Sequence, residues 1–366
     1  MAGLYIHVPF CRGKCPYCDF YSLPCEVGAM DAYVRRAEAV LAQWGGMPIT
    51  TIYFGGGTPS LLGPERLSRL LRQARKSFPL APPGEVTLEA NPTHVNEAFF
   101  AALAEAGFTR LSMGMQSADR EELKLLGRAH SPENVEEAVK AAQRAGFRNI
   151  SLDMMLGLPG GSREKLGRTI AFASGLGVQH ISAYILKVEP GTPFASAGLV
   201  LPDGDETAEE YLFCVEELAR QGFSQYEISN FSRPGFESRH NLIYWQGEEY
   251  LGIGPGAHSF QNGRRFYFPR DLEGFLAGSA PADDGPGGSF PEYAMLRLRL
   301  TEGLSEAGCG ERFGPAGERA FRRLLENAKT CPPHLIRISP QSLRFTPEGF
   351  LVSNALLLRL LEDAGT

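Results

Sequence analysis

The first two-thirds of the chain alternates short apolar runs, rich in β-branched residues, with longer segments in which apolar positions recur at helical spacing. This pattern predicts six strands, at residues 4–8, 51–54, 86–90, 111–115, 150–155 and 181–186. A helix is predicted after each strand, at residues 30–43, 64–77, 97–106, 132–145, 162–176 and 206–221. Glycines such as Gly107 and Gly146 stand just past helix ends, where they are common. We therefore predict six strand–helix units in series.

The positions of polar residues favour one of two architectures that fit this alternation. Parallel strands need crossover helices, so the units predict a parallel sheet, either open and doubly wound or curved into a barrel. Polar or glycine residues stand at or just after the predicted strand ends: Cys11, residues 55–58, Glu89, Gln116 and Asp153. A barrel with one active face gathers its functional side chains at the carboxyl ends of its strands. With six units rather than eight, we predict an α/β fold built on an incomplete (β/α)6 barrel.

The alternation stops near residue 223, and the remaining third has a different pattern. Residues 229–270 are rich in glycine, asparagine, histidine and aromatic residues, and residues 278–288 have the proline and glycine content of a linker. Beyond the linker we predict helices at 293–300 and 318–327, a hairpin from 342–345 and 349–352, and a final helix at 354–362. The predicted organisation is a barrel domain at 1–228, a distinct region with its linker at 229–288, and a smaller α+β C-terminal domain at 289–366.

Composition narrows the classes of function. The 366 residues are 43% apolar and 21% charged, as in soluble globular proteins, and the formal net charge of −6 disfavours a general nucleic-acid binder. No apolar run approaches the roughly 20 residues of a membrane span. The amino-terminal segment lacks the pattern of a signal peptide. We therefore expect a cytoplasmic protein with reduced thiols.

Three of the seven cysteines lie within eight residues, at Cys11, Cys15 and Cys18. In a reducing compartment such crowding indicates a metal site rather than a disulfide framework. A structural zinc ion is usually coordinated by four protein ligands, and His7 or Cys25 could supply the fourth. Three thiolates could instead hold a [4Fe–4S] cluster and leave one iron open. Beyond Cys25, the remaining three cysteines, Cys214, Cys309 and Cys331, are scattered and are predicted to be buried apolar residues.

The spacing Cys-x3-Cys-x2-Cys in a loop after the first strand resembles the signature of the radical S-adenosylmethionine superfamily. The resemblance implies a [4Fe–4S] cluster on Cys11, Cys15 and Cys18, whose open iron binds S-adenosylmethionine. It also implies reductive cleavage to a 5′-deoxyadenosyl radical, with a flavodoxin or ferredoxin-type protein as the electron donor. The implied contacts to S-adenosylmethionine are Tyr5, Tyr17, Gly56, Gly57, Thr58, Glu89, Gln116, Arg128, Asp153 and, through its backbone, Lys187.

Within the superfamily the chain resembles the branch related to oxygen-independent coproporphyrinogen III oxidase, and in particular the haem chaperones of that branch. The oxidase carries a fourth cysteine two residues after the third, where this chain has Phe20. The segment from His240 to Trp245 matches the His-Asn-x-x-Tyr-Trp motif of the chaperones, and residues 252–259 are also similar. The resemblance implies that His240 contacts haem, with His258 a weaker candidate. From the residues alone, a histidine among aromatic side chains is equally a packed, hydrogen-bonded core residue.

The resemblance therefore implies a haem chaperone that binds haem as cargo, together with the cluster and S-adenosylmethionine, and delivers haem to apo-haem proteins such as respiratory enzymes. It assigns no certain catalytic residue, and cleavage of S-adenosylmethionine would be secondary to chaperoning. Oxidative decarboxylation of coproporphyrinogen III is the alternative activity, and a zinc-stapled scaffold is a third class. A peripheral membrane association and a homodimer stay open.

Overall fold

One sheet of twelve strands forms the centre of the molecule in the computed structural model, which describes residues 2–362. Its six central strands are parallel and lie side by side in chain order. They are β1 (Gly3–Val8), β4 (Ile49–Gly56), β5 (Leu80–Ala90), β6 (Arg110–Gln116), β7 (Ile150–Leu156) and β8 (His180–Ile185). The short strands β2 (Phe10–Cys11) and β3 (Leu23–Pro24) pair with each other beyond the end of β1. The predicted α/β class and incomplete barrel are confirmed.

Helices connect the six strands, as the alternation predicts. They are α1 (Val27–Gln43), α2 (Gly63–Ser77), α3 (Glu97–Ala106), α4 (Arg120–Leu125), α5 (Pro132–Arg144), α6 (Arg163–Gly175), α7 (Pro193–Ser196) and α8 (Gly204–Arg220). Side-chain caps explain several of the starts, because the first N–H groups of a helix have no partner within it. Ser131 and Asn134 form a capping box at α5, and Asp203 and Glu206 form one at α8.

Side chains along the central strands alternate between an apolar and a polar face. In β1, Leu4, Ile6 and Val8 pack into the main hydrophobic core, and burying each such side chain contributes roughly 1.5–3 kcal/mol. Tyr5 and His7 point to the opposite face, since successive strand residues alternate. Polar residues or glycines hold the equivalent positions on the neighbouring strands, among them Tyr53 and Gly55 on β4, so the inner face of the barrel is largely polar.

The region after β8 extends this same sheet at both edges. The strands β9 (Ser224–Gln225) and β10 (Asn230–Ser232) continue from β8, while β11 (Tyr250–Ile253) pairs in parallel with β1 and is followed outwards by β12 (His258–Gln261), β13 (Arg264–Tyr267) and β14 (Ala282–Pro286). Between these strands lie α9 (Arg239–Trp245) and α10 (Leu272–Ala277). Part of the predicted linker at 278–288 is therefore wrong, because β14 pairs with β13 at the edge of the sheet.

The C-terminal part is a small α+β unit. It comprises α11 (Phe290–Arg297), β15 (Leu304–Ser305), α12 (Glu306–Ala328), β16 (Ile336–Ser339), β17 (Ser342–Phe345), α13 (Pro347–Leu351) and α14 (Ser353–Leu361). The predicted pairing of 342–345 with 349–352 is wrong: β17 pairs with β16. Pro347 at the first helical turn and the Thr346 hydroxyl, which accepts from the Gly349 N–H, start a helix instead. The domain boundaries stay a prediction, and residues 1 and 363–366 lie outside the described part.

Within residues 2–362, no helix combines the length and apolar character needed to cross a membrane.

Candidate cofactor site at the carboxyl ends of the strands

The cysteine loop begins at the end of β2, with Cys11, Cys15 and Cys18 all unpaired and partly exposed. The Cys18 N–H donates to the Cys15 carbonyl at 3.1 Å, and Cys11 Sγ lies 3.4 Å from Thr58 Oγ1. Burial raises the pKa of Cys18, and the neighbouring thiols of Cys15 and Cys11 raise it further. Negative charges on neighbouring thiols repel one another, so their proximity disfavours ionisation. A bound cation would reverse this effect and favour the thiolate forms. Among the described residues, no group of three His, Cys, Asp or Glu side chains is preassembled around a metal position.

Two glycines let the loop after β4 fit against the first strand. Gly56 has a φ of 111°, and a Cβ there would lie 2.6 Å from the His7 ring. A Cβ at Gly57 would lie 2.6 Å from the Phe10 carbonyl oxygen, which is a backbone atom that has little freedom to move. The Gly57 and Thr58 N–H groups donate to the carbonyls of Val8 and Phe10. These contacts hold residues 55–58 directly beside the start of the cysteine loop.

Glu89 is the penultimate residue of β5 and lies on the polar inner face. Its Oε1 accepts a hydrogen bond from the Tyr53 hydroxyl at 2.8 Å, and its Oε2 accepts from the Gly56 N–H at 3.2 Å. Burial raises the pKa of Glu89 to about 7, against these two hydrogen bonds, which lower it. The carboxyl group therefore changes charge near neutral pH. It can accept hydrogen bonds from an amino group or a sugar hydroxyl once it is ionised.

Gln116 and Arg128 meet above the end of β6. Gln116 has a left-handed backbone, with a φ of 67°, at a register shift between β6 and β7. A Cβ at Gly114 would lie 2.8 Å from Gln116 Nε2 and 3.2 Å from Arg128 Nη2, so the two polar groups share the space over this glycine. Arg128 Nε donates to the Tyr17 hydroxyl at 3.1 Å, which links the group to the cysteine loop. A guanidinium in this position suits a carboxylate ligand.

Asp153 lies on the adjacent strand, β7, facing the same interior. Its Oδ1 accepts a hydrogen bond from the Ser112 hydroxyl at 3.1 Å. Burial raises the pKa of Asp153, while the hydroxyls of Ser182 and Ser112 lower it. Neither Arg128 nor another described basic residue forms an ion pair with it. Asp153 is thus held by hydroxyl groups.

Tyr5 is anchored through His7. His7 Nε2 donates to the Tyr21 carbonyl at 3.0 Å, so its Nδ1 is left to accept from the Tyr5 hydroxyl at 3.1 Å. Burial lowers the pKa of His7 to about 4, which keeps the imidazole neutral in this role. Tyr5 also lies 3.0 Å from where a Gly55 Cβ would be. The tyrosine ring therefore borders the glycine loop and Glu89.

One residue implied by the resemblance, His240, lies apart from this group, and the implied contact of Lys187 is through its backbone rather than its side chain. The Lys187 side chain is 79% exposed and pairs with Glu189 at 2.7 Å. His240 is 1% exposed and lies near the amino ends of the strands: its Nδ1 is 2.7 Å from Thr51 Oγ1, and its Nε2 is 2.8 Å from the Tyr244 hydroxyl. Its ring stacks on Tyr53 with centroids 5.0 Å apart. Burial, followed by the charge of Arg110, lowers its pKa to about 3.

Arg110 is a component of the barrel interior that the sequence did not single out. The side chain is 2% exposed, and its Nε and Nη1 have no hydrogen-bond partner in the described part of the chain. Its register partner on β5 is Thr87, whose hydroxyl is also buried without a partner. The positive charge lowers the pKa of Glu89 and Asp153. The signal available from sequence was an arginine directly before the predicted strand at 111–115.

The fold and the cysteine loop together define a radical S-adenosylmethionine protein. A model of the Radical SAM superfamily matches residues 5–173. A solved coproporphyrinogen III oxidase from Escherichia coli superposes with a TM-score of 0.84 at 20% identity, covering 98% of this chain and 89% of that one. At this identity the likeness concerns the fold. A radical SAM domain implies a [4Fe–4S] cluster and S-adenosylmethionine, and three free thiols in one loop are the donor set that such a cluster uses.

Curated relatives identify the family more closely. The chain is 38% identical over 378 residues to Heme chaperone HemW of Mycobacterium tuberculosis, with 98% of this chain and 94% of the relative covered. It is 34% identical over 377 residues to the Bacillus subtilis protein of that name, with 97% of each chain covered. The Escherichia coli protein is 40% identical over 320 residues, with 82% of this chain and 83% of the relative covered. The chain belongs to the HemW family.

Proposed function

We propose that this chain is a haem chaperone, which binds haem and passes it to apo-haem proteins. The observation that supports this most is the identity of 38% to a curated heme chaperone across 98% of the chain. Phe20, in place of the fourth cysteine of the oxidase, agrees with it. By family analogy the acceptors are respiratory haem enzymes.

We propose that Cys11, Cys15 and Cys18 hold a [4Fe–4S] cluster whose fourth iron is free for S-adenosylmethionine. When bound and reduced, these cofactors supply a 5′-deoxyadenosyl radical. The chain's own residues seat the ligand in this proposal: the backbone of residues 56–58 and Glu89 face its amino group and ribose, and Arg128 faces its carboxylate. Tyr5, Tyr17, Gln116, Asp153 and the Lys187 backbone complete the pocket.

Glu89 has a defined task in this arrangement. In the absence of ligand, burial raises the pKa of this carboxyl to about 7, so it gains or loses its proton near neutral pH. A ligand that donates hydrogen bonds to it stabilises the ionised form, and so ligand binding releases a proton. The environment of Asp153 is similar, because burial raises its pKa and hydrogen bonds from two serine hydroxyls lower it. The two carboxylates together favour a cationic ligand.

Partners follow from the same proposal. Cluster reduction requires a flavodoxin or ferredoxin-type donor, and transfer requires an apo-haem acceptor. We propose a cytoplasmic location, with a homodimer and peripheral membrane contact as open arrangements. The proposed domain organisation is a barrel at 1–228, the region 229–288 and the C-terminal domain at 289–366.

A haem contact at His240 would need a change from the conformation described. Both ring nitrogens lie within hydrogen-bond distance of hydroxyl groups, and the side chain is buried at the amino-terminal side of the barrel. Iron coordination requires a free nitrogen lone pair. The α9 helix would have to move away from β4 to provide one. The His240 contact stays a prediction on those terms.

The proposal is tested by titrating haem into anaerobically reconstituted protein, with and without S-adenosylmethionine, and then adding a haem-free respiratory protein. We expect saturable binding at one haem per chain, followed by transfer that restores the acceptor's spectrum. In parallel, the protein is incubated with coproporphyrinogen III, S-adenosylmethionine and a reductant, and we expect no vinyl products. If the protein binds no haem and decarboxylates coproporphyrinogen III, the chaperone assignment is wrong and the protein is an oxidase.

A further inference from the structure

His258 presents an exposed imidazole at the sheet edge that carries the cysteine loop. Strand β11 runs parallel to β1, with Ile253 opposite Ile6, and the turn at 254–257 returns the chain into β12 at His258. This turn lies against the first strand, because a Cβ at Gly254 would be 2.4 Å from the His7 carbonyl oxygen. His258 is therefore placed near the carboxyl end of β1, from which the chain runs into Cys11.

The surroundings of His258 orient its ring and leave its nitrogens available. The imidazole stacks on Tyr267, its register partner on β13, with centroids 5.1 Å apart and an interplanar angle of 21°. Within the described chain its ring has no hydrogen-bond partner. Partial burial lowers the pKa of His258, so the ring is neutral at pH 7. A neutral, exposed imidazole held by an aromatic ring is a competent metal ligand.

Arg270 connects His258 to the cysteine loop. A Cβ at Gly256, two residues before His258, would lie 3.6 Å from Arg270 Cγ. The Arg270 guanidinium lies 3.5 Å from the Asp19 carboxylate, and both side chains are more than half exposed. Such an exposed ion pair contributes little to stability and can exchange for another carboxylate. Next to Asp19 stands Phe20, which is 68% exposed and so offers an aromatic surface beside the cysteine loop.

Other histidines are less suited to bind iron from solution. His7, His180 and His240 are buried, with both ring nitrogens within hydrogen-bond distance of partners. His130 is also buried and uses Nε2 on a backbone carbonyl. His94 and His334 are exposed, but neither has an aromatic ring stacked on it in the described chain. Among the histidines of residues 2–362, His258 alone combines exposure, a stacked aromatic ring and a neighbouring arginine.

We propose that His258 supplies the axial imidazole to the iron of bound haem, that Arg270 pairs with a haem propionate, and that Phe20 covers part of the macrocycle. Haem is an apolar disc with two carboxylates and an iron that accepts nitrogen ligands, which matches these three groups in kind. This inference rests on the proposed haem chaperone function. It places the cargo beside the cluster rather than at the opposite end of the barrel.

The test compares ferric haem titrations of the reconstituted wild-type protein with those of His258→Ala, His258→Phe and His240→Ala. His258→Phe keeps a ring on Tyr267 but has no lone pair, and His334→Ala is a matched exposed control. We expect both His258 variants to lose the low-spin imidazole signature in optical and electron paramagnetic resonance spectra. Their affinity for haem should fall at least about tenfold, which corresponds to about 1.4 kcal/mol. Added free imidazole should restore the signature in His258→Ala.

As a control, the iron and sulfide content of each variant is measured to check that the cluster is intact. Binding by wild-type protein with no change in either His258 variant would overturn the inference and leave the chaperone function standing. The same holds if only His240→Ala loses the imidazole signature. If the wild-type protein itself binds no haem, the proposed function fails and this inference fails with it.

Discussion

Glu89 illustrates how the environment of one side chain sets its chemistry. Removal from water raises its pKa from 4.5 to about 7, although Tyr53 and the Gly56 N–H both favour the ionised form. The sequence indicated an acid at the end of a strand. It could not indicate the two donors, because Tyr53 and Gly56 come from a different strand and are brought to Glu89 only by the register of β4 and β5.

The affinity for S-adenosylmethionine should therefore depend on pH. Only ionised Glu89 can accept hydrogen bonds on all its lone pairs, so affinity should rise about tenfold between pH 6 and pH 8, as the ionised fraction does for a pKa of about 7. Isothermal titration calorimetry measures this. The Glu89→Gln variant, which does not titrate, accounts for ionisation of the ligand itself. A wild-type profile with the same slope as that of Glu89→Gln would contradict the role of Glu89.

Arg110 should control where that transition falls. Its buried charge lowers the pKa of Glu89 and of Asp153. Replacing it with methionine removes the charge but keeps much of the volume, so the midpoint of the pH profile should move upwards. Arg110→Lys, which keeps the charge, should move it much less. Identical midpoints in wild type and Arg110→Met would show that this arginine has no electrostatic effect on the pocket.

At the scale of elements, strand and helix types in the first two-thirds were predictable because apolar periodicity there follows local rules. The helix at Glu97–Ala106 has the predicted bounds, and other elements differ from prediction by a few residues, most widely at β5, which begins at Leu80. Pairing beyond β8 was not predictable. β11 joins the sheet beside β1, which is more than 240 residues earlier in the chain, and no local pattern encodes such a partner. The same limitation explains why the polar stretch Ala282–Pro286 was interpreted as a linker.

The glycine loop after β4 should tolerate no side chain at Gly57. A Cβ there would lie 2.6 Å from the Phe10 carbonyl, so Gly57→Ala must push residues 55–58 away from the cysteine loop. We expect the affinity for S-adenosylmethionine to fall at least about tenfold, which corresponds to a loss of about 1.4 kcal/mol of binding free energy. Gly13→Ala is the control, because a Cβ at Gly13 meets nothing within 4 Å. Equal affinity in the two variants would count against the loop as a ligand contact.

His240 should stabilise α9 whatever else it binds. The Glu85 carboxylate accepts the N–H groups of Arg239 and His240 at the start of this helix, and the imidazole contacts the Thr51 and Tyr244 hydroxyls. His240→Ala leaves a cavity and two buried hydroxyls without their partner, which should lower the free energy of unfolding by about 2–4 kcal/mol. Urea denaturation checks this against the exposed His334→Ala, expected within about 0.5 kcal/mol of wild type. A similar loss of unfolding free energy in both variants would contradict a structural role for His240.

At the scale of the whole molecule, two groups of polar side chains lie at different depths of one polar barrel interior. The cysteine loop and its neighbours lie at the carboxyl ends of the strands, while His240 lies beside Thr51, five residues before Gly56 on β4. At about 3.3 Å per residue this is a separation of about 16 Å along the strand. The sequence predicted both groups, but their relative positions required the fold. Because of this separation, haem bound at His240 and haem bound beside the cluster would occupy different sites.

The proposed function depends on three thiols that hold a [4Fe–4S] cluster with one iron open to S-adenosylmethionine. The most direct test is electron paramagnetic resonance of anaerobically reconstituted, dithionite-reduced protein, recorded before and after S-adenosylmethionine is added. We expect the signal of one reduced [4Fe–4S] cluster per chain, with g values that shift when the ligand is added, and we expect this signal to be lost in Cys15→Ala. A protein that binds no iron–sulfur cluster, or a cluster signal that S-adenosylmethionine leaves unchanged, would contradict it.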